Sequence, residues 1–489
     1  MQPLNSSVRI LAFGAVAALL FTSLTLFGQP PQPPQKAEVQ QDIKAGQRPA
    51  PQPVGDPVAV KTPEGKAGWK VVIPGGHPLA TPAIADGKVF IGGGFGSFEF
   101  YAFDAATGKK VWRFDTGDDG PTAAVVEDGY ISFNTESCEL YIIAMDGKQV
   151  WKKWLGDPLM SMPAISKGHV YMAYPDCKGN RGHVFACFDV KTGKEQWTKP
   201  IAGEIITAPV IQGDKIYLTT VDGTMYCFNE KDGIVAWSEK KNATSSPAVF
   251  DGKLYFSQRT EETVKDKAGK EVKQQMENLA GRDVDTNGKI KAYDATKRPA
   301  DYLDMAKRQD GMVEKGNKAK DAGVGFATAP AAAGLPKAAA NLGQATVAGV
   351  WSYQGSRPFI YKGNLISTMG DTVKCIDPKT EKILWKQELH PPKKGETLVD
   401  CAVTPPAIAN GKLFVGTSKG EVICLSAETG KELWRATVGA PITFQPAVAN
   451  GRVYVASSNG MLFCIETGDR KDDGWFMWGG NAQHNGIVK

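Results

Sequence analysis

The 489-residue chain has no C-x-x-C pair, no H-x-x-x-H and no G-x-S-x-G elbow. Its five histidines, His77, His169, His183, His390 and His484, show no metal-ligand spacing. Zinc sites of the usual spacing and serine-hydrolase elbows are therefore excluded. Charge of one sign is missing too: a net +5 spread over this length leaves no nucleic-acid footprint. With 42% hydrophobic and 22% charged residues the chain is neither wholly disordered nor a multi-spanning membrane protein. What it has in excess is Gly (54) and Pro (31), about one residue in six. Turns that frequent go with many short strands rather than with long helices.

Residues 10–27 (ILAFGAVAALLFTSLTLF) form the one long uncharged apolar run, after Arg9. Eighteen residues are long for a signal core and short for a span, and Leu26-Phe27-Gly28 makes no tidy small-x-small cleavage site. Residues 1–28 therefore read as a signal peptide or a membrane anchor, and both readings export the rest of the chain. No cysteine follows that could be acylated. Residues 29–64 carry nine prolines between Pro30 and Pro63 and are expected to be a disordered spacer.

From residue 65 onward one phrase recurs: an apolar pair, Ala or Cys, an acidic or small polar residue, a turn, then Trp. It reads YAFDAATGKKVW at 101–112, ACFDVKTGKEQW at 186–197, CFNEKDGIVAW at 227–237, CIDPKTEKILW at 375–385 and CLSAETGKELW at 424–434. The Ala/Cys place falls on Ala102, Ala144, Cys187, Cys227, Ala292, Cys375, Cys424 and Cys464. At residue 292 the copy breaks off after AYDATK and is read as resuming at Trp351. A second phrase precedes each copy, as in TPAIADGKVFIGGG (81–94) and TPPAIANGKLFVGT (404–417). Asp-Gly and Asn-Gly supply the positive φ of tight hairpin turns, and the flanks alternate with period two. Four short strands every forty-odd residues make a β-propeller blade. The expectation is an all-β, eight-bladed β-propeller over residues 65–489, of four-stranded antiparallel blades, with insertions at about 259–288 and 298–348. Ring closure has two candidates, residues 67–74, which hold Trp69, and the C-terminal GWFMWGGNAQHNG (474–486); closure by 67–74 is favoured, with the C-terminal segment capping one face.

Trp112, Trp151, Trp197, Trp237, Trp351, Trp385 and Trp434 read as structural, each set against the small Ala or Cys of the neighbouring strand to fill the gap between blades. The phrase A-x-D-x-x-T-G-K-x-x-W resembles the pyrroloquinoline-quinone-type propeller repeat. Quinoprotein alcohol dehydrogenases share it with the scaffold lipoprotein of the outer-membrane β-barrel assembly machine. The resemblance covers roughly residues 65–480 and implies an eight-bladed ring, but the repeat serves enzymes and non-enzymes alike. The adjacent-cysteine disulfide of the dehydrogenases has no counterpart, since no Cys-Cys dipeptide occurs. The acylated cysteine of the lipoproteins is missing as well.

Off the repeat, Cys138 and Cys177 fall in second-to-third-strand loops of adjacent blades and are candidates for a disulfide in an oxidising compartment. Asp283, Asp285 and Asn287, with Gly288, match the start of a calcium loop, against the alternative of a polar turn entering a strand. The insertion containing KEVKQQMENLAG (270–281) is compatible with a helix, and no paired carboxylates can be assigned. These observations point to an exported, non-catalytic scaffold that binds protein or cell-envelope partners on a propeller face. It would lie in the periplasm or outside the cell, attached through residues 10–27 if that segment is uncleaved. The rival is a quinone-dependent oxidoreductase, for which pyrroloquinoline quinone and calcium would be the cofactors; no nucleic-acid partner is expected.

Overall fold

A computed structural model describes residues 52–94, 96–156, 161–176, 182–203, 205–206, 208–265, 268–284, 290–299, 357–391 and 401–487, which lie in the compact unit Gln52–Lys489. The 1–28 segment with its apolar 10–27 run and most of the Pro-rich spacer lie outside the described residues, as do Trp351, Cys177, Asp285 and Asn287.

Alternating sequence becomes alternating burial. In blade 1 the strands are Ala83–Ala85 (a), Lys88–Gly92 (b), Glu99–Asp104 (c) and Lys110–Asp115 (d), and all their pairings are antiparallel. Strands b and c are buried almost throughout, while d alternates between exposed and half-buried residues, as an outer edge should. The same a-b-c-d order repeats in seven further sheets, giving the eight blades expected. Strands a of successive blades touch around the centre, for example blades 1, 2, 3 and 4 in turn, and blade 8 against blade 1. Among the described residues there is no helix.

Ring closure uses the N-terminus. Ala67–Val72 is strand d of blade 8 and pairs with Met461–Glu466, with Trp69 opposite Cys464. An additional strand, Val58–Lys61, pairs on its outer side, so the ordered propeller begins inside the stretch expected to be spacer. Three of its four residues are exposed, and the strand is held through backbone pairing rather than through a buried face.

The insertion in blade 5 is a correction. Its described residues form no helix but two long strands, Lys253–Lys265 and Glu271–Asp283, in continuous register from Lys253↔Asp283 to Lys265↔Glu271. Beyond Arg259 the burial pattern alternates strictly, the period of a strand rather than a helix. Cross-strand charges such as Lys273–Glu261 at 2.7 Å fit that period. Strand c of this blade is therefore the ENLAGRD end of the hairpin, and AYDATK lies in strand d, Lys291–Pro299, instead of c. Gly281 takes the Ala/Cys place, opposite Tyr255 and Lys291. A smaller correction applies in blade 2, where Ile142, not Ala144, lies opposite Trp151.

Candidate functional site

The recurrent tryptophans define how the blades join. Trp112, Trp197, Trp237, Trp385 and Trp434 lie opposite Ala102, Cys187, Cys227, Cys375 and Cys424 at equivalent strand-d positions. The indole N–H reaches into the next blade's c–d turn: Trp112 donates to the Met145 carbonyl at 3.1 Å, Trp151 to Val190 at 2.6 Å, Trp197 to Glu230 at 3.3 Å and Trp385 to Ala427 at 3.2 Å. Each of these four rings packs against a glycine of that turn. A Cβ on Gly147 would stand 2.9 Å from Trp112, and one on Gly233 2.5 Å from Trp197. The glycine of the c–d turn thus serves both its positive φ (86° at Gly147) and the close approach of a ring. The gap between blades is filled by Trp against Gly of the next blade, not only by Trp against the Ala or Cys of its own.

This frame places the calcium-loop residues. Of them only Asp283 is described, at the end of strand c of blade 5; Asp285 and Asn287 lie outside the described residues. The Val284 carbonyl there accepts the Trp237 indole N–H at 2.8 Å, just as its equivalents do elsewhere. Among the described residues no group of three His, Cys, Asp or Glu is arranged to hold a metal. Cys138 is buried in the b–c turn of blade 2 with φ of 57°, and its candidate partner Cys177 lies outside the described residues. Cys187, Cys227, Cys375, Cys424 and Cys464 are buried as expected of small apolar fillers, and burial pushes the thiols of Cys227 and Cys375 up to about 11.

Antiparallel blades sort their connections onto two faces. The a–b and c–d turns share one face and are tight wherever all their residues are described. The b–c and d–a connections share the other. Onto that second face fall the blade 5 hairpin, the exit of the chain at Pro299 with its return at Arg357, and the connection from Pro391 to Cys401. The blade 5 hairpin and the described ends of both these connections thus lie on one side.

The opposite mouth of the central channel is filled by the chain's own C-terminus. After blade 8 the chain turns at its a–b hairpin, where Asn450 N–H donates to Asp473 at 2.9 Å, and enters the axis. Backbone bonds then run from segment to ring: Val448 N–H to the Trp475 carbonyl at 2.6 Å, Ile84 to Phe476 at 2.7 Å, Ile165 to Ala482 at 3.0 Å and Ile211 to Gln483 at 2.9 Å. Those bonds tie blades 8, 1, 3 and 4 to one strap, and Gln483 adds the Glu127 side chain of blade 2. Trp478 sits amid Ala80, Ala123, Met162, Ala208 and Phe444, five residues from five blades. Fully buried Arg357 lies at the entry to strand a of blade 6, with its guanidinium 4.9 Å above Trp478 and 4.7 Å above Phe359. The cap expected of residues 474–486 is thus a plug inserted in the channel.

One carboxylate pair escaped the sequence reading. Asp119, in the connection from blade 1 to blade 2, accepts a hydrogen bond from the carboxyl of Glu136 in the b–c turn of blade 2. Burial, then the negative charges of Asp119 and Asp118, push Glu136 up to about 8, so it stays protonated at neutral pH. Asp118 alongside accepts from the Ser137 N–H at 3.1 Å and from the Thr135 hydroxyl. No spacing rule links residues 119 and 136; only the fold brings the two loops together. Both loops belong to the insertion-bearing face, which gains there an acidic sector with one shared proton.

Comparison with known proteins fits this architecture. The Burkholderia pseudomallei outer membrane protein assembly factor BamB is 32% identical over 125 residues, 25% of this chain and 30% of that protein. The tetrathionate hydrolase of Acidithiobacillus ferrooxidans is 27% identical over 229 residues, 41% of this chain and 45% of that protein. In both cases the match spans less than half of the relative's length. The crystal structure of BamB from Moraxella catarrhalis superposes with a TM-score of 0.52 at 15% identity, covering 84% of this chain and all of that one, a likeness of fold. The family described as outer membrane protein assembly factor BamB matches residues 54–141, 97–179, 139–296 and 369–475, most of the ring, and the chain belongs to that family.

Proposed function

We propose that the protein is an exported, non-catalytic propeller scaffold that holds a protein partner against its insertion-bearing face. The observation that supports it is the asymmetry of the two faces. One carries tight turns and a channel mouth filled by residues 474–487. The other carries the blade 5 hairpin, the described ends of two long connections and the acidic sector at Asp118, Asp119 and Glu136. Relatives named as outer membrane assembly factors suggest the class of partner, a protein that takes part in building the outer membrane, and an envelope location. Export would run through residues 10–27.

A photo-crosslinking residue at Lys273, exposed on the hairpin, should capture an outer-membrane assembly protein in cells. The same residue at Lys148, exposed in a c–d turn of the opposite face, should not. Capture from Lys148 alone would overturn the assignment of the face. The rival reading is an enzyme, since one relative bears a hydrolase's name and the repeat is shared with quinone-dependent oxidoreductases. Stoichiometric micromolar binding of pyrroloquinoline quinone with calcium in a calorimetric titration, followed by dye reduction with an alcohol or aldose, would replace the scaffold by that enzyme. Asp283, with Asp285 and Asn287 of the sequence motif, would then be the first place to look for the calcium.

A further inference from the structure

The plug holds a surplus of buried hydrogen-bond donors with nothing to donate to. Arg357 is fully buried, and its Nε and Nη1 have no hydrogen-bond partner. The indole N–H groups of Trp475 and Trp478, at 0% and 1% exposure, are likewise without an acceptor. These residues form one contiguous group: the guanidinium lies over Trp478 and Phe359, and Phe359 meets Trp475 edge-on at 5.0 Å. Most of the nearby carbonyls are already engaged. His484 O accepts from Arg357 Nη2, the ring nitrogens of His484 lie 2.8 Å from Trp478 O and 2.9 Å from Pro163 O with the one N–H of the neutral ring donating to one of them, and Pro406 O accepts from Gln445 at 2.8 Å.

Charge tells the same story as hydrogen bonding. No ion pair joins Arg357 to a carboxylate among the described residues, and burial is the one influence on its guanidinium, pushing its pKa down to about 9. A guanidinium keeps its proton near neutrality, and a buried unpaired charge costs several kcal/mol. The two aromatic faces offset part of that cost, but they leave the in-plane N–H edges unsatisfied. A water molecule would bring new donors together with its acceptor lone pairs. An anion brings acceptors only, and with them the missing negative charge.

We propose that the axial plug binds a small inorganic anion, a halide or a compact oxyanion, on the Nε/Nη1 edge of Arg357 with an indole N–H of Trp478 or Trp475. Such an ion joins the C-terminal strap, which supplies the indoles, to strand a of blade 6, which supplies the arginine. It thereby fastens the strap to the sector of the ring where the chain returns from the insertion that begins after Pro299. The ligand belongs to the channel and is independent of any partner held on the opposite face.

The full-length protein, dialysed into a weakly coordinating buffer, is titrated with chloride, bromide, sulfate and phosphate at constant ionic strength, with the thermal midpoint as readout. A saturable rise in midpoint with at least one of these ions is expected, and crystals soaked in bromide should show an anomalous peak beside Arg357. Trp478→Phe keeps the ring and removes one donor, and should weaken binding by about tenfold if that indole contacts the ion. Trp475→Phe is the paired control, so that one of the two variants responds. Arg357→Met should abolish the anion dependence, and if that variant fails to fold, the two indole variants and the bromide map still decide. A midpoint indifferent to all four ions, or an anion response unchanged in both indole variants with no anomalous density at Arg357, would overturn the proposal.

Discussion

Asp119 and Glu136 make the propeller's stability depend on a single proton. In the unfolded chain Glu136 titrates near 4.5, and in the folded one near 8. Between those values the folded state holds a proton that the unfolded state has lost, so each rise in pH favours unfolding. The contribution is fully present below about 4.5 and is lost as pH rises through 8. Glu136→Gln keeps a neutral donor to Asp119 and removes the titration. Urea midpoints measured at about pH 5, 7 and 9 should therefore fall less steeply for the variant, which becomes the more stable protein at the alkaline end. An identical slope in both proteins would show that the pair does not share a proton. His484 slopes the other way. Burial is the main cause that lowers it from 6.5 to about 4, with the Arg357 charge acting in the same direction and the carbonyls of Pro163 and Trp478 opposing. Its contribution is present above 6.5 and is lost as pH falls through 4. His484→Gln should accordingly remove part of the acid-side loss in the same midpoint series, whatever it costs near neutrality.

At the scale of the element, one blade junction shows why tryptophan and glycine travel together in the repeat. Strand d of blade 5 has Lys291, not Trp, opposite the small residue of strand c. The c–d turn it faces in blade 6 has Glu381, not Gly, at φ of 62°, and the two side chains form an ion pair. Tyr293 adds a hydrogen bond to the Pro378 carbonyl at 3.3 Å. Without a ring lying on the turn, a Cβ there is tolerated. Lys291→Trp alone should therefore be destabilising, because the indole would meet the Glu381 Cβ, and Glu381→Gly alone should lose the ion pair. Combined, they recreate the docking of the other blades, with a favourable coupling of about 1–2 kcal/mol in a double-mutant cycle of unfolding free energies. Coupling near zero would mean that Trp and Gly are not an energetic unit. Elsewhere in the ring, Trp197→Ala should cost about 3–5 kcal/mol, since that indole is buried and hydrogen-bonded to the next blade. The same junction marks what could be read in advance. Five tryptophans, each ten residues after an Ala or Cys, announced the ring, because spacing within a blade is local. Blade 5 was misassigned because Gly281 hides the small-residue place and Lys291 the Trp place, leaving AYDATK as the nearest imitation of strand c. KEVKQQMENLAG has the residues of a helix, yet pairing with Lys253–Lys265 overrides that local preference. The plug and the Asp119–Glu136 pair were illegible for a different reason: their contacts join blades far apart in sequence, and no spacing within one copy encodes them.

For the whole molecule, closure is the decisive event, and it rests on few residues. Blade 8 receives its outer strand from the opposite end of the chain, and Trp69 lies against Gly108 of blade 1 just as the other indoles lie on their turns. On the other side, blade 8 has no continuous c–d turn to meet Trp434. Lys66 stands in for it, its ammonium 4.5 Å over the Trp434 ring and 2.8 Å from the Thr467 carbonyl. Glu64 secures the end of blade 7's outer strand by accepting from the Thr437 N–H at 3.0 Å and from its hydroxyl at 2.6 Å. Truncation can separate these contributions. A chain beginning at residue 63 loses the mostly exposed strand Val58–Lys61 and keeps the Glu64 and Lys66 contacts, so it should fold with a modest loss in urea midpoint. A chain beginning at residue 67 keeps Trp69 but gives up the latch and the cation over Trp434, and should unfold at lower urea while remaining cooperative. A chain beginning at residue 75 leaves Met461–Glu466 as an open apolar edge and exposes Cys464, with blades 8 and 1 no longer joined by an indole. It should aggregate or lose its single cooperative transition, with limited proteolysis cutting first in blades 8 and 1. A cooperative, protease-resistant ring from that last chain would show that the C-terminal strap, which ties blades 8, 1, 3 and 4 together, suffices for closure without the N-terminal strand.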